Sequence, residues 1–195
     1  MKILIIGCGG VGSWLIREIT EAVRQEQIEP TIRFDIADND MVELRQLDYQ
    51  NFNTKDIGKN KAGVLANRYK DYAFIYPIKE RILKREQLEG YNLIICCADN
   101  TLVREMLFRY CHQHNKDFID LRAEGRYIMA FQKSSLNTDL ATLDLADKTN
   151  GSCQDDEDIE KGWIQKGNKI VAMVGIQMLL NYLRGEKNNK ILIKI

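Results

Sequence analysis

The chain has few prolines and no excess of charge of either sign. Only two prolines occur in 195 residues, so no proline-rich linker or low-complexity segment divides it. Lys and Arg number 28 and are balanced by 28 Asp and Glu, which gives no reason to expect a nucleic acid or an anionic membrane as partner. The longest apolar segment is shorter than the about 20 residues that span a bilayer. A single domain is the simplest expectation.

The cysteines also lack a pattern. They number five, an odd count, and no two have C-x-x-C spacing. This argues against a disulfide framework and against a paired-cysteine zinc site. The apolar run at the N-terminus lacks the context of a signal peptide. We therefore expect a reducing compartment, the cytoplasm.

A glycine turn, residues 7–12, stands near the start of the chain. It follows an apolar run, and its glycines at 7, 9 and 12 match the pattern G-x-G-x-x-G. The apolar residues after it have the spacing of a helix. In this setting the pattern predicts nucleotide binding, because glycine lets the backbone approach a phosphate and a helix N-terminus attracts an anion. A NAD-dependent oxidoreductase is one alternative, but no catalytic His, Tyr–Lys or Ser constellation accompanies the turn.

Strands and helices alternate along the rest of the chain. The pattern predicts strands at 2–6, 31–37, 74–78, 93–98 and 118–121, with helices between them that begin near 11, 61, 82 and 102. Such alternation is typical of a doubly wound, mainly parallel α/β sheet. An antiparallel strand at 125–131 and a last strand at 191–195 are expected to extend it. The nearly continuous apolar residues at 170–183 predict a helix that is buried within the domain or in a dimer interface. Residues 133–166 show no hydrophobic periodicity.

Acidic residues follow two of these strands. Asp38 and Asp40 come after the second strand, and Asp99 follows the apolar fourth strand. Ligands of open α/β sheets bind at the carboxyl edge, so we expect these residues near the glycine turn. The connection, residues 41–60, is long enough to lie across that edge and to be functional.

Several ordered blocks resemble the ThiF/MoeB/HesA family, the bacterial relatives of ubiquitin-activating enzymes. The glycine turn with Ser13 is similar to the family's G-x-G-G-x-G-S. The blocks D-N-D-M-V-E-L at 38–44, Q-N-F at 50–52 with D-I-G-K-N-K at 56–61, and C-A-D-N at 97–100 with Arg104 follow in the family's order. The segment from Gly167 resembles its late buried helix. The match implies one ThiF-like nucleotide-binding domain over 1–195, of the Rossmann-like α/β class, with 133–166 as a crossover loop.

The resemblance implies ATP binding and adenylation of the C-terminal glycine carboxylate of a small ubiquitin-like or sulfur-carrier protein, as a homodimer or a heteromer. Mg²⁺ is the expected metal, with Asp99 as its ligand. Asp99 and Lys61 are the implied catalytic residues, since a lysine can act on the phosphates as a point charge. The implied ATP-binding residues are Gly7, Gly9, Gly10, Gly12, Asp38 (at the ribose), Asp40, Gln46 and Lys61.

The sequence departs from the family at the connection. Where the family reads N-L-x-R-Q, this chain has Gln46, Leu47, Asp48, Tyr49 and Gln50. Gln46 can imitate the asparagine, but Tyr49 cannot carry the arginine's charge, and Arg45 lies four residues upstream of it. The chain also begins on its first strand and lacks the family's zinc cysteines. A non-catalytic nucleotide-binding or partner subunit of a ThiF-like complex is therefore the alternative.

Several residues have a structural interpretation as well. Asp99 or Asn100 is suited to cap the following helix. Cys96, Cys97 and Cys111 are expected in the core. Cys153 lies where some family members keep an acceptor or zinc-binding cysteine, but the acidic run at 155–158 would raise its pKa. An ordinary surface thiol therefore remains the simpler interpretation of Cys153.

Overall fold

A computed structural model describes residues 1–124, 127–133, 160–163 and 166–194. Within them, seven strands form one sheet in the order β3-β2-β1-β4-β5-β6-β7. The strands are β1 Lys2–Ile6, β2 Arg33–Ala37, β3 Ile75–Ile78, β4 Leu93–Cys96, β5 Asp117–Glu124, β6 Tyr127–Gln132 and β7 Ile191–Lys194. The α-helices with bounds inside these ranges are α1 Gly10–Arg24, α2 Lys61–Tyr69, α3 Thr101–Gln113 and α4 Gly167–Leu183.

The first five strands are parallel, as the alternation predicts. β1 pairs with β2 and β4, so that Ile6 lies beside Ala37 and Cys96. This register brings the carboxyl ends of the three strands to one level. The glycine turn, Asp38 and Asp99 therefore lie at one edge of the sheet. The predicted antiparallel extension is confirmed, because β6 pairs antiparallel with β5 and β7 pairs antiparallel with β6.

Apolar side chains fill both faces of the sheet. One core cluster joins β1, α1, α2 and α4, and the other lies under α3. The helix α4 packs against α1 and β5 so closely that a Cβ on Gly175 would lie 2.4 Å from Leu121 Cδ1. It is buried within the domain on most sides, although Ile170 and Met173 are exposed. Cys96, Cys97 and Cys111 lie in the core as expected.

Two elements differ most from the sequence-based expectation. The helix expected at 82–88 is only a single 3₁₀ turn, Arg85–Leu88, where the Gln87 side chain accepts from the N–H groups of Leu83 and Lys84. The fifth strand runs on to Glu124, because β6 supplies a partner along its whole second half. Most of the expected crossover loop, 134–159 and 164–165, lies outside the described residues. No helix in the described ranges is long and apolar enough to cross a membrane.

Candidate functional site

A cavity of about 1010 Å³ opens at the carboxyl edge of the sheet. The glycine turn, the ends of β2 and β4, the connection and the segment after β3 form its walls. The structure thus brings together segments that are far apart in the sequence. The predicted site residues that border the cavity are Gly7, Gly9, Gly10, Asp38, Asp40, Gln46, Lys61 and Asp99.

Two glycines of the turn are required by close backbone approach. Gly7 has φ +93°, a left-handed conformation that disfavours side chains, and a Cβ there would lie 2.8 Å from the Ala98 nitrogen. A Cβ on Gly12 would lie 1.9 Å from the Gly7 carbonyl oxygen. Gly12 therefore packs behind the turn, and it does not form part of the cavity wall. Its role in the described structure is to let α1 start against β1.

Gly9 is different, because its open side faces the cavity. A Cβ there would meet only the Gln50 Nε2 atom, at 3.8 Å. Gly9 is the N-cap of α1 and provides no side-chain cap, and the first turn of this 15-residue helix carries no acidic residue. Uncapped N–H groups at a helix N-terminus form an anion site. The absent side chain at Gly9 leaves the room that a phosphate group needs.

Asp38 connects the second strand to the glycine turn. Its Oδ2 accepts from the Cys8 backbone N–H at 2.7 Å, and its Oδ1 accepts from the Asp40 N–H at 2.8 Å. Burial raises the pKa of Asp38, although these two hydrogen bonds and Lys61 act in the opposite direction. The carboxylate keeps lone pairs that a pair of ribose hydroxyls can use.

Lys61 places a buried cation at the cavity wall. It is the first residue of α2, whose N-cap is Asn60 with its side chain accepting from Gly63 N–H. The Lys61 side chain is 4 % exposed, and its Nζ lies 3.7 Å from Asp40 Oδ2. Asn60 Nδ2 also donates to the Asp38 carbonyl oxygen at 2.9 Å. The start of α2 is therefore fixed to the end of β2, and Lys61 is held at the edge of the cavity.

Asp99 borders the cavity and is exposed. The capping role belongs to Asn100, whose side chain accepts from the N–H groups of Leu102 and Val103. Asp99 is thus left to face the cavity. No group of three or more His, Cys, Asp or Glu suited to a metal occurs in the described part of the chain. Mg²⁺ binds proteins through one or two carboxylates and takes its other ligands from phosphates and water, and Asp99 could supply one such carboxylate.

The connection is tied to two helices. The Trp14 Nε1 atom of α1 donates to the Tyr49 carbonyl oxygen at 3.1 Å, and Asn51 N–H donates to Ser13 Oγ at 3.0 Å. Arg68 of α2 donates to the Asn51 carbonyl oxygen at 2.6 Å and to Asp56 Oδ2 at 2.5 Å. Residues 49–56 are therefore held at a defined distance from the glycine turn.

Both positively and negatively charged side chains surround the cavity. The substituted position Tyr49 borders the cavity, and so does Arg45, which forms a 2.7 Å ion pair with Glu43. Gln46 is buried, and its Oε1 accepts from the Glu43 N–H, so part of this side chain serves the local 3₁₀ turn. Arg45 lies four residues upstream of Tyr49 in the sequence, but the fold places both at the same cavity.

Burial makes Cys8 and Cys96 poor nucleophiles. Burial and the nearby Asp38 raise the pKa of the Cys8 thiol well above its usual value, and burial raises that of Cys96 to about 11. Cys97 borders the cavity but is mostly buried. Cys153, the candidate acceptor thiol, lies outside the described residues.

Sequence reasoning missed one whole wall of the cavity. Glu80, Arg81, Ile82 and Leu83 follow β3 and face the end of β2, where Arg81 Nε donates to Asn39 Oδ1 at 2.9 Å. The rule that placed Asp38 and Asp99 at a carboxyl edge applies equally to β3 and would have found this segment. Gln50, which belongs to the Q-N-F block, and Glu160 also border the cavity, but neither was among the predicted site residues.

Comparison with known proteins identifies a curated relative and solved structures of similar fold. The C. elegans protein "SUMO-activating enzyme subunit uba-2" is 24 % identical over 134 residues, which are 65 % of this chain and 22 % of that protein. Solved structures of E. coli MccB with ATP and of PaaA superpose with TM-scores of 0.72 and 0.71, at 16 % and 17 % identity. Each superposition covers 100 % of this chain and 60 % of the other.

At these identities the structural likeness establishes the fold. The chain spans less than two thirds of the length of these relatives. The model of the ThiF family, in contrast, matches residues 1–194, which includes all the walls of the cavity and the sheet beneath them. This chain is a member of the ThiF family.

Proposed function

We propose that this protein binds ATP at the glycine turn and adenylates the C-terminal carboxylate of a protein partner, a small ubiquitin-like or sulfur-carrier protein that ends in glycine. The observation that carries the proposal is the cavity itself, in which an uncapped helix N-terminus, Asp38 and Lys61 lie together. A triphosphate needs donors and a cation, and a ribose needs acceptors. The cavity wall offers all three.

The proposed reaction is a nucleophilic displacement at the α-phosphate. A carboxylate oxygen of the partner attacks the α-phosphorus, the bond to the bridging oxygen breaks, and pyrophosphate leaves. In this step charge must be stabilised on the phosphates and the two anions must be held in position. Lys61 and the N–H groups of α1 would stabilise the charge, and Asp38 would hold the ribose. Mg²⁺ bound at Asp99 would neutralise phosphate charge.

Relatives support the choice of nucleotide and of partner class. Structures of MccB contain ATP, or AMPCPP together with MccA, and the curated relative is a SUMO-activating enzyme subunit. Both cases pair a ThiF-like domain with another polypeptide. We extend this to the present chain as a proposal. The same extension suggests a homodimer or a ThiF-like heteromer, which light scattering of the purified protein would distinguish from a monomer.

A second candidate is a subunit that binds the nucleotide without turnover. Tyr49 at the cavity wall favours it, because the family has an arginine at this position. Removal of one preorganised donor from a transition state costs about 3 kcal/mol or more. Arg45 at the same cavity is a candidate to replace the missing arginine, if its guanidinium leaves Glu43 and pairs with a phosphate instead. The two candidates differ in chemistry but share the ATP site.

Calorimetry with ATP and Mg²⁺, followed by pyrophosphate–ATP exchange, tests both candidates. Exchange is measured with small carrier proteins that end in glycine, and the adenylate is identified by mass spectrometry. Lys61→Ala is expected to lower ATP affinity at least about tenfold, since hydrogen bonds to charged groups contribute about 1.5–3 kcal/mol. Lys59→Ala, two residues away and exposed, is the matched control and should bind as the wild type does.

The outcomes separate the possibilities. ATP binding with exchange supports the adenylating enzyme. ATP binding without pyrophosphate exchange in the presence of any carrier protein supports the non-catalytic subunit. If exchange then occurs when a related protein is added, the site is heteromeric. Tight NADH binding that ATP does not compete for would reject both and favour an oxidoreductase. Equal ATP affinity of the two lysine variants would reject the role of Lys61.

A further inference from the structure

The side chain of Gln50 is buried at the cavity wall without a complete set of protein partners. The residue is 7 % exposed and borders the cavity. Within the described residues, its Oε1 atom is buried and has no hydrogen-bond partner. Buried polar atoms are hydrogen-bonded in the great majority of cases, because desolvation without a partner is unfavourable. The carboxamide thus lies at the wall of a ligand-sized cavity with its oxygen unbonded, and no described residue fixes its orientation.

The neighbours of Gln50 hold it in place on both sides. The Tyr49 carbonyl oxygen accepts from Trp14 Nε1, and Asn51 N–H donates to Ser13 Oγ, so both flanking residues are tied to α1. The Gln50 N–H itself donates to the Gln46 carbonyl oxygen at 2.8 Å. The backbone is thus positioned by several contacts, while the carboxamide is not. This arrangement holds Gln50 at the cavity wall and leaves its carboxamide available to a ligand.

The carboxamide lies against the glycine turn. Its Nε2 atom is 3.8 Å from the position that a Cβ on Gly9 would occupy, and Gly9 is the uncapped start of α1. The last torsion of a glutamine side chain has a broad energy profile, and no described residue holds the oxygen. The NH₂ group can therefore turn toward an anion at the helix N-terminus and add a donor to the backbone N–H groups there.

We propose that Gln50 is a phosphate-binding residue, whose carboxamide donates a hydrogen bond to a phosphate oxygen of the nucleotide at the glycine turn. The inference rests on the proposed ATP site. A neutral donor beside the helix N-terminus stabilises the negative charge that builds on the phosphate during displacement. Lys61 and Gln50 then act differently, the first as a charge and the second as a directional donor.

Calorimetry with two probes, ATP and adenosine, tests the assignment. Gln50→Leu keeps the approximate size of the side chain but removes the donor, and it should lower ATP affinity about tenfold or more, as expected for a hydrogen bond to a charged group. Gln50→Glu should weaken ATP further by repulsion. Adenosine carries no phosphate, so its affinity should stay at the wild-type value in Gln50→Leu. Gln177→Leu, an exposed position on α4, is the control.

The melting temperature without nucleotide separates a binding role from a structural one. Because Oε1 has no partner, Gln50→Leu should melt no lower than the wild type, and only the stabilisation by ATP should shrink. A lower melting temperature of the nucleotide-free variant, or equal losses for ATP and adenosine, would overturn the inference. Unchanged ATP affinity in Gln50→Leu would overturn it while leaving the ATP site intact. Failure of the wild type to bind ATP would instead reject the proposed function, and this inference with it.

Discussion

The ion pair between Arg68 and Asp56 is expected to hold the connection in place. Arg68 Nη2 lies 2.5 Å from Asp56 Oδ2, and Nη1 donates to the Asn51 carbonyl oxygen at 2.6 Å. The Asp56 side chain is 8 % exposed, so removal of the guanidinium would leave a buried carboxylate without its cation. Breaking such a pair on one side costs about 3–5 kcal/mol.

We expect Arg68→Ala to lower the free energy of unfolding by about 3 kcal/mol, at the low end of that range. The reason for the low end is that Asn53 N–H still donates to Asp56 Oδ2, and that Arg68 is partly exposed. The matched control is Arg24→Ala. Arg24 pairs with Glu21 at 3.0 Å, but both side chains are exposed, and such surface pairs contribute about 0.2–1 kcal/mol.

Urea unfolding followed by circular dichroism measures both variants. ATP affinity of Arg68→Ala should also fall, because the connection carries Gln46 and Gln50 to the cavity wall. If Arg68→Ala destabilises the protein no more than Arg24→Ala does, the ion pair does not hold the connection and this reasoning is refuted. A loss of stability with unchanged ATP affinity would refute only the link between the connection and the site.

Three further predictions concern the glycine turn, Asp38 and the thiols. Gly12→Ala should have a much lower urea midpoint of unfolding than Gly9→Ala, because only the Gly12 substitution places a Cβ against backbone, at 1.9 Å from the Gly7 oxygen. Gly9→Ala should instead lose ATP affinity. Equal stabilities of the two variants would contradict this prediction. Burial raises the pKa of Asp38, so adenosine affinity should be full above that pKa and weaken as pH falls through it, whereas Asp38→Asn should show no such change by calorimetry. The stability contribution of Asp38 has the opposite sense, being present at low pH and lost as pH rises through the raised pKa. Cys8, Cys96, Cys97 and Cys111 are buried, and burial disfavours the thiolate. Mass spectrometry after iodoacetamide treatment should therefore find these four thiols unmodified in the folded protein and modified in urea. Rapid labelling of any of them in the folded protein would contradict the fold around it.

Much of the fold could be predicted because its signals are local. The apolar runs of β1 and β4, the glycine spacing and the turn after each strand indicate the elements, and right-handed crossovers then restrict the topologies of the sheet. The strand order itself comes from the structure. Asp38 and Asp99 could be placed at one edge because the carboxyl ends of parallel strands coincide. The register of Ile6 with Ala37 and Cys96 confirms that step.

The tertiary structure decided how the connection and α4 meet the glycine turn. Asn168, far along the chain, lies so close to Gly10 that a Cβ there would be 2.7 Å from Asn168 Nδ2. Arg68 and Ser13 position the connection, and as a result Gln50 reaches the wall of the cavity. No periodicity encodes these contacts, since they depend on packing between segments that are distant in sequence. The sequence by itself determined that a glycine turn exists and which strands surround it, whereas only the folded chain decided which side chains of the connection face it.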